Sequence, residues 1–113
     1  MFNFQVYGIN LFSENCIESC KIYEKAFGFK ILFQSLNHAE LEINQWARLI
    51  FSKNSEHCKI DSGSFTLKLK ELNIDSLKTH LNQFNLETYY PEKQYASFLD
   101  HYGNRIWIYE SQD

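Results

Sequence analysis

Residues 26–30 read AFGFK, and residues 83–87 read QFNLE. The first closes a run in which Cys16, Cys20, Tyr23 and Phe27 recur at i, i+4, i+7 and i+11, a single helical stripe suited to packing on a sheet. Asn15 stands where an N-cap belongs, with Glu18 three residues on as its capping-box partner, and Gly28 is the residue type that best closes a helix in left-handed conformation. The second closes a similar run of Ile74, Leu77, Leu81 and Phe84, with Asn73 as the cap and Asn85 in the place of Gly28. A pattern that occurs twice in a short chain is read as an internal repeat before anything else.

Working outward, the segments around both helices read as strands. Gln5 to Phe12 is the first, followed after the helix by Phe29–Leu36, Ala39–Ile43 and Ala47–Ser52. A three-residue turn, Asn44-Gln45-Trp46, would place Leu41, Ile43, Ala47, Leu49 and Phe51 on one face. Glu40, Glu42, Arg48 and Ile50 then share the other, with Glu42 opposite Arg48. Slipping by one residue would split the apolar set between the faces, so this register is preferred. Residues 54–63 are polar and aperiodic, a linker loop. In the second half, Ser64–Leu69 is a strand and the helix follows. A loop from Glu87 to Ala96 carries Tyr89, Tyr90 and Tyr95, and Ser97–Leu99 and Arg105–Glu110 flank a turn at residues 100–104. The expectation is one α+β domain over residues 1–113, built of two modules, 1–53 and 64–113, each with one helix on the outer side of a small curved mixed sheet.

Composition narrows the function. At 113 residues with 44% hydrophobic side chains, the chain is long enough for one real core. The net charge is −3 and the lysines are scattered, which argues against nucleic acid as a partner. No apolar run reaches membrane-spanning length and no signal peptide is visible, so the expected compartment is the cytoplasm and no membrane partner is expected. Three cysteines without CxxC spacing make neither a disulfide framework nor a zinc site; Cys16 and Cys20 read as small buried hydrophobes and Cys58 as a loop thiol. Aromatic residues make up 17% of the chain, and such rings belong in a core, a ligand wall or an interface.

Three segments in order, SCKIYEKAFGFKILF (residues 19–33), AELEINQWARLIF (39–51) and FLDHYGNRIWIYE (98–110), resemble the glyoxalase/bleomycin-resistance/extradiol-dioxygenase superfamily, the vicinal oxygen chelate proteins. The likeness runs through nearly the whole chain. It implies two βαβββ modules, each sheet rolled into a half-cup, commonly paired in a homodimer. It also implies one divalent metal ion per cup, held by His, Glu or Gln from equivalent strands. Carried over residue by residue, that site is missing its ligands. The first-strand position is Gly8, the opening strand of the second module offers only Ser64 or Phe65, and the Glu expected four residues after the turn glycine is Trp107. The turn itself departs from the family pattern, with His101 for its proline and Tyr102 for its second aspartate. An indole has no lone pair to give a cation.

The last strand alternates Ile106 and Ile108 against Arg105, Trp107 and Tyr109, and the resemblance places the latter three on the concave face. Trp107 and Tyr109 then form either a stacking wall for a planar or apolar ligand or the filling of a cavity that a metal once occupied. Arg48 or Arg105 would pair an anionic group, with Glu42 beside Arg48 as either a substrate-orienting group or an ordinary cross-strand charge. Glu40 and Glu42 are the candidates for general acid–base work, and His38 with Glu40, two apart on a strand, supply two metal donors but no third. No Ser-His-Asp or Cys-His pairing is placed together by spacing alone. The expected protein is a metal-free, homodimeric small-molecule binder of the resistance type; a metal-dependent lyase or dioxygenase, or a dimerisation module with filled cups, are the rivals.

Overall fold

The computed structural model describes residues 2–111. The chain forms two units, Met1–Asp61 and Ser62–Asp113. The first runs β1 (Gly8–Phe12), α1 (Cys16–Phe27), β2 (Lys30–Gln34), β3 (His38–Asn44) and β4 (Ala47–Ser52). The second runs β5 (Ser64–Leu69), α2 (Ile74–His80), β6 (Asn85–Tyr90), β7 (Tyr95–Leu99) and β8 (Arg105–Glu110). The sheets are open and identically wired, β1-β4-β3-β2 and β5-β8-β7-β6, with the first pair of each parallel and the rest antiparallel. Each unit is therefore a βαβββ module and the fold is α+β.

In the first unit the helix forms where the caps demand it. Asn15 Oδ1 accepts from Glu18 N at 3.1 Å, and Gly28, at φ 75°, donates its N–H to Glu24 O at 2.8 Å. Three of the four stripe residues are buried, with Cys16 and Cys20 fully covered and the Tyr23 ring edge-on to Phe51 at 4.8 Å, while Phe27 at the helix end is half-buried. Opposite it the sheet contributes Leu11, Ala39, Leu41, Leu49 and Phe51, all buried. Each such large side chain is worth about 1.5–3 kcal/mol on leaving water. Burial also pushes both thiols' pKa values up, so Cys16 and Cys20 are inert packing groups.

The ladder keeps Glu42 opposite Arg48, but the turn differs from the expected one. Only Gln45 and Trp46 form it, and the extra residue, Ile43, is absorbed as a bulge between Glu42 and Asn44. Asn44 Oδ1 holds the turn by accepting from Trp46 N and Ala47 N.

Three expected elements are corrected. The first strand begins at Gly8, not Gln5: in the Gly8–Arg48 register Gln5 and Val6 fall opposite the turn residues Gln45 and Trp46, and Tyr7 lends the ladder a carbonyl that accepts from Arg48 N. The second helix ends at His80, and Asn85 does not cap it. Leu81 closes the helix, and Asn85 is needed as the first residue of β6, opposite Leu99. Leu81 and Phe84 are buried, but they lie beyond the helix, none of whose seven residues is buried. Finally, residues 87–96 are not one loop. Asn85–Tyr90 is an edge strand, and its last residue precedes Pro91, a position that favours extended backbone.

Candidate functional site

On the first sheet, the face away from α1 carries Arg48, Ile50 and Ser52 of β4 and His38, Glu40 and Glu42 of β3, because side chains alternate along each strand. Glu40 is the hub. Its Oε1 accepts from Arg48 Nη1 at 2.7 Å and from the Tyr7 hydroxyl at 2.9 Å, and its Oε2 lies 2.8 Å from His38 Nε2. These hydrogen bonds, His38's first, hold the Glu40 carboxyl down at about 2 against an ordinary 4.5. The bond to Glu40 also raises the Tyr7 phenol, whose ring lies under the Arg48 guanidinium at 4.9 Å. His38 Nδ1 is 3.1 Å from Ser52 Oγ. Arg48 thus pairs with Glu40 and not with Glu42, its neighbour in the ladder.

A cleft of about 790 Å³ beside this network is lined by Gln5, Val6, Tyr7, Glu42, Asn44, Trp46 and Arg48, among others. It is an open surface hollow whose Trp46 is 77% exposed.

The equivalent face of the second sheet is aromatic. Arg105, Trp107 and Tyr109 of β8 sit opposite Leu99, Ser97 and Tyr95 of β7 and opposite Ser64, Thr66 and Lys68 of β5. Trp107 is only partly covered, with the Tyr95 ring edge-on to it at 6.0 Å and Tyr90 stacked in turn on Tyr95 at 5.5 Å. A cleft of about 640 Å³ is lined by Thr66, Lys93, Tyr95, Trp107, Tyr109 and Glu110. Arg105 is turned to other use. Its Nε and Nη2 donate to the two oxygens of Glu87, both at 2.6 Å, and Ser97 Oγ donates to Glu87 at 2.8 Å. That fork holds the Glu87 carboxyl at about 2.

The ligand-binding candidates from the sequence therefore fall on two sheets. Trp107 and Tyr109 line one cleft together; Arg48 and Glu42 line another; Arg105 is engaged by Glu87. The sequence reading passed over Tyr7, Ser52, Glu87 and Lys93. Ser52 was reachable from the register alone, since counting four residues on from Arg48 and four back from Glu42 pairs Ser52 with His38. Glu87 was not, because it sits at a bulge between Leu86 and Thr88.

The residues do not fit the metal that the resemblance implies. Gly8 is locked as glycine, because a Cβ there would lie 2.6 Å from Arg48 O and 2.9 Å from Ile50 Cδ1. Arg48 and Arg105 hold matching register positions in the two modules, opposite Gly8 and Ser64, and two residues further on stand Ile50 and Trp107. Glycine, serine, isoleucine and tryptophan offer no imidazole or carboxylate. His38 and Glu40 bond each other, and no group of three or more His, Cys, Asp or Glu side chains among the described residues is arranged to hold a metal ion.

No family model matches the sequence, and no curated protein sequence matches it. Solved structures do. A lactoylglutathione lyase from Agrobacterium tumefaciens superposes with a TM-score of 0.70 at 13% identity, covering 96% of this chain and 95% of its own. The bleomycin-binding protein of Streptomyces verticillus, solved with copper(II)-bleomycin, gives 0.63 at 13% identity, covering 99% of this chain and 100% of its own. A fosfomycin resistance protein from Mesorhizobium loti gives 0.65 at 9% identity, covering 99% and 94%. The chain has the fold of the glyoxalase/bleomycin-resistance/dioxygenase proteins, the vicinal oxygen chelate superfamily.

Proposed function

We propose that the protein binds a small, planar or partly apolar molecule against the second module's aromatic wall, without a metal ion. The observation that carries this is the cleft of about 640 Å³ bounded by Tyr95, Trp107 and Tyr109, a volume in the range of small-molecule sites. A tryptophan that merely filled a vacated interior would be wholly covered, whereas Trp107 keeps part of its surface open to the cleft. The polar complement is small and balanced, with Thr66 on the wall and Lys93 and Glu110 lining it as one charge of each sign. Stacking, not charge pairing, then supplies the affinity, and the ligand carries little net charge. Sequestration is the role in keeping with this reading, the structurally similar Streptomyces protein being named for binding bleomycin. We place the protein in the cytoplasm as a homodimer on the same reading.

The test is a thermal-shift screen of planar heteroaromatic compounds in the presence of EDTA. A ligand at a hundredfold excess over Kd adds about 2.7 kcal/mol to folded-state stability. Thr66→Trp, which places a second indole on the strand beside Trp107, should abolish the shift while leaving the unliganded melting temperature within a few degrees. A screen in which every shift depends on added metal, or survives Thr66→Trp, overturns the reading.

A further inference from the structure

We propose that Ser52, His38 and Glu40 on the first sheet form an acyl-transfer triad in which Ser52 Oγ is the nucleophile toward activated esters. The three side chains share one sheet face, with His38 opposite Ser52 across the strands and Glu40 two residues along from His38. Glu40 Oε2 is 2.8 Å from His38 Nε2, and His38 Nδ1 is 3.1 Å from Ser52 Oγ. The tautomer follows from the partners. A carboxylate can only accept, so Nε2 carries the proton toward Glu40, Nδ1 keeps its lone pair, and the Ser52 hydroxyl donates to it. This is the logic of a serine nucleophile, a base and an orienting carboxylate, with the two imidazole nitrogens exchanged relative to the usual order.

Glu40 is built to stay ionised. Arg48 and Tyr7 both donate to it, and its side chain is 16% exposed. His38 is more open, with 40% of its side chain exposed, so a reagent approaches from the imidazole side. Ser52 itself is 6% exposed, so its hydroxyl is held within the sheet face beside the imidazole. Its neighbours favour an apolar acyl group. Phe12 is its ladder partner on β1, and the Phe33 ring lies 6.0 Å from His38 and is itself exposed.

In the step proposed, Ser52 Oγ bonds to the ester carbonyl carbon as its proton passes to His38 Nδ1. The carbonyl then reforms, the bond to the leaving oxygen breaks, and that oxygen departs with the electron pair. A phenol of low pKa leaves as phenolate and needs no proton, so base assistance is what the site must supply. The imidazolium then gives that proton to solvent; water, deprotonated by the restored imidazole, attacks the acyl-serine, and the acyl–oxygen bond breaks to release the carboxylic acid as His38 returns the proton to Ser52 Oγ.

The experiment uses the full chain with p-nitrophenyl acetate and, separately, a fluorophosphonate probe. The expected result is a burst of one equivalent of p-nitrophenolate and a single adduct mapping to Ser52 by peptide mass. Ser52→Ala should remove both, and His38→Gln, which retains a side chain able to hydrogen-bond Ser52, should slow acylation by about 100-fold or more. Melting curves of both variants report folding. An absence of adduct at Ser52 in the folded wild type overturns the proposal, as does labelling at an unchanged rate in His38→Gln. Neither result touches the aromatic cleft of the other module, so the two readings fail separately.

Discussion

Replacing Glu40 by Gln isolates the electrostatics of the first sheet. The side chain keeps its shape and loses its charge, so His38, Arg48 and Tyr7 lose the anion to which all three are bonded. The folded carboxyl titrates at about 2 and the unfolded one near 4.5. The charge therefore stabilises the fold fully above about pH 5, and that contribution drains away as the pH falls toward 2. His38 and Arg48 are each 40% exposed, and solvent screens their pull on Glu40. The full shift would correspond to about 3 kcal/mol, and screening reduces it to about 1–2 kcal/mol. In a chain of this size that is a fall in melting temperature on the order of 5–10 °C. The assay is thermal unfolding of wild type and Glu40→Gln at pH 7 and pH 3. At pH 7 the wild type should melt higher by that margin; at pH 3 the gap should shrink to less than half, because the unfolded wild-type chain now takes up the proton. All other carboxyls cancel in the comparison. A gap that is equal at the two pH values, or absent at pH 7, refutes the reasoning.

Other perturbations follow from single contacts. Asp100 accepts from Tyr102 N, Asn104 N and Asn104 Nδ2 at 2.8–2.9 Å, and Asn104, fully buried, accepts from Gly63 N. Asp100→Ala should cost about 2–3 kcal/mol in urea unfolding, since it removes the acceptor for a buried amide. Gly8→Ala drives a methyl to within 2.6 Å of a carbonyl that the β1–β4 ladder fixes, so about 1–3 kcal/mol should be lost, and a neutral outcome would show that the strands can part there. Arg105→Gln should return the Glu87 carboxyl from about 2 toward 4.5, read by NMR pH titration of its side-chain carbon.

Much of the fold is legible because its determinants are local. Asn15, Glu18 and Gly28 delimit α1 with contacts inside the helix, and the apolar alternation of Leu41, Leu49 and Phe51 permits a single register between β3 and β4. The errors fall where a distant partner decides. Gln5 and Val6 continue a strand-like run but fall opposite a turn, and Asn85 resembles a helix cap yet is drafted into β6 by Leu99. The placement of the candidate residues was legible in part for the same reason. The alternation in β8 put Trp107 and Tyr109 on one face, as found, but the partners of the arginines depend on reach. Arg48 crosses diagonally to Glu40, and Arg105 spans to Glu87 on a strand that is not its neighbour in the sheet. Spacing along a chain cannot show a diagonal pair.

The most direct test of the aromatic cleft is fluorescence of Trp107 alone. In a Trp46→Phe background Trp107 is the one remaining indole, and Trp46, exposed on the first unit, no longer contributes. The protein, kept in EDTA, is titrated with the planar compounds that raise its melting temperature. A saturable change in Trp107 emission at one equivalent per chain, lost in Tyr95→Ala, is the expected result. Emission that stays flat through saturation of the thermal shift would place the ligand elsewhere and rule out Trp107 as the wall of its site.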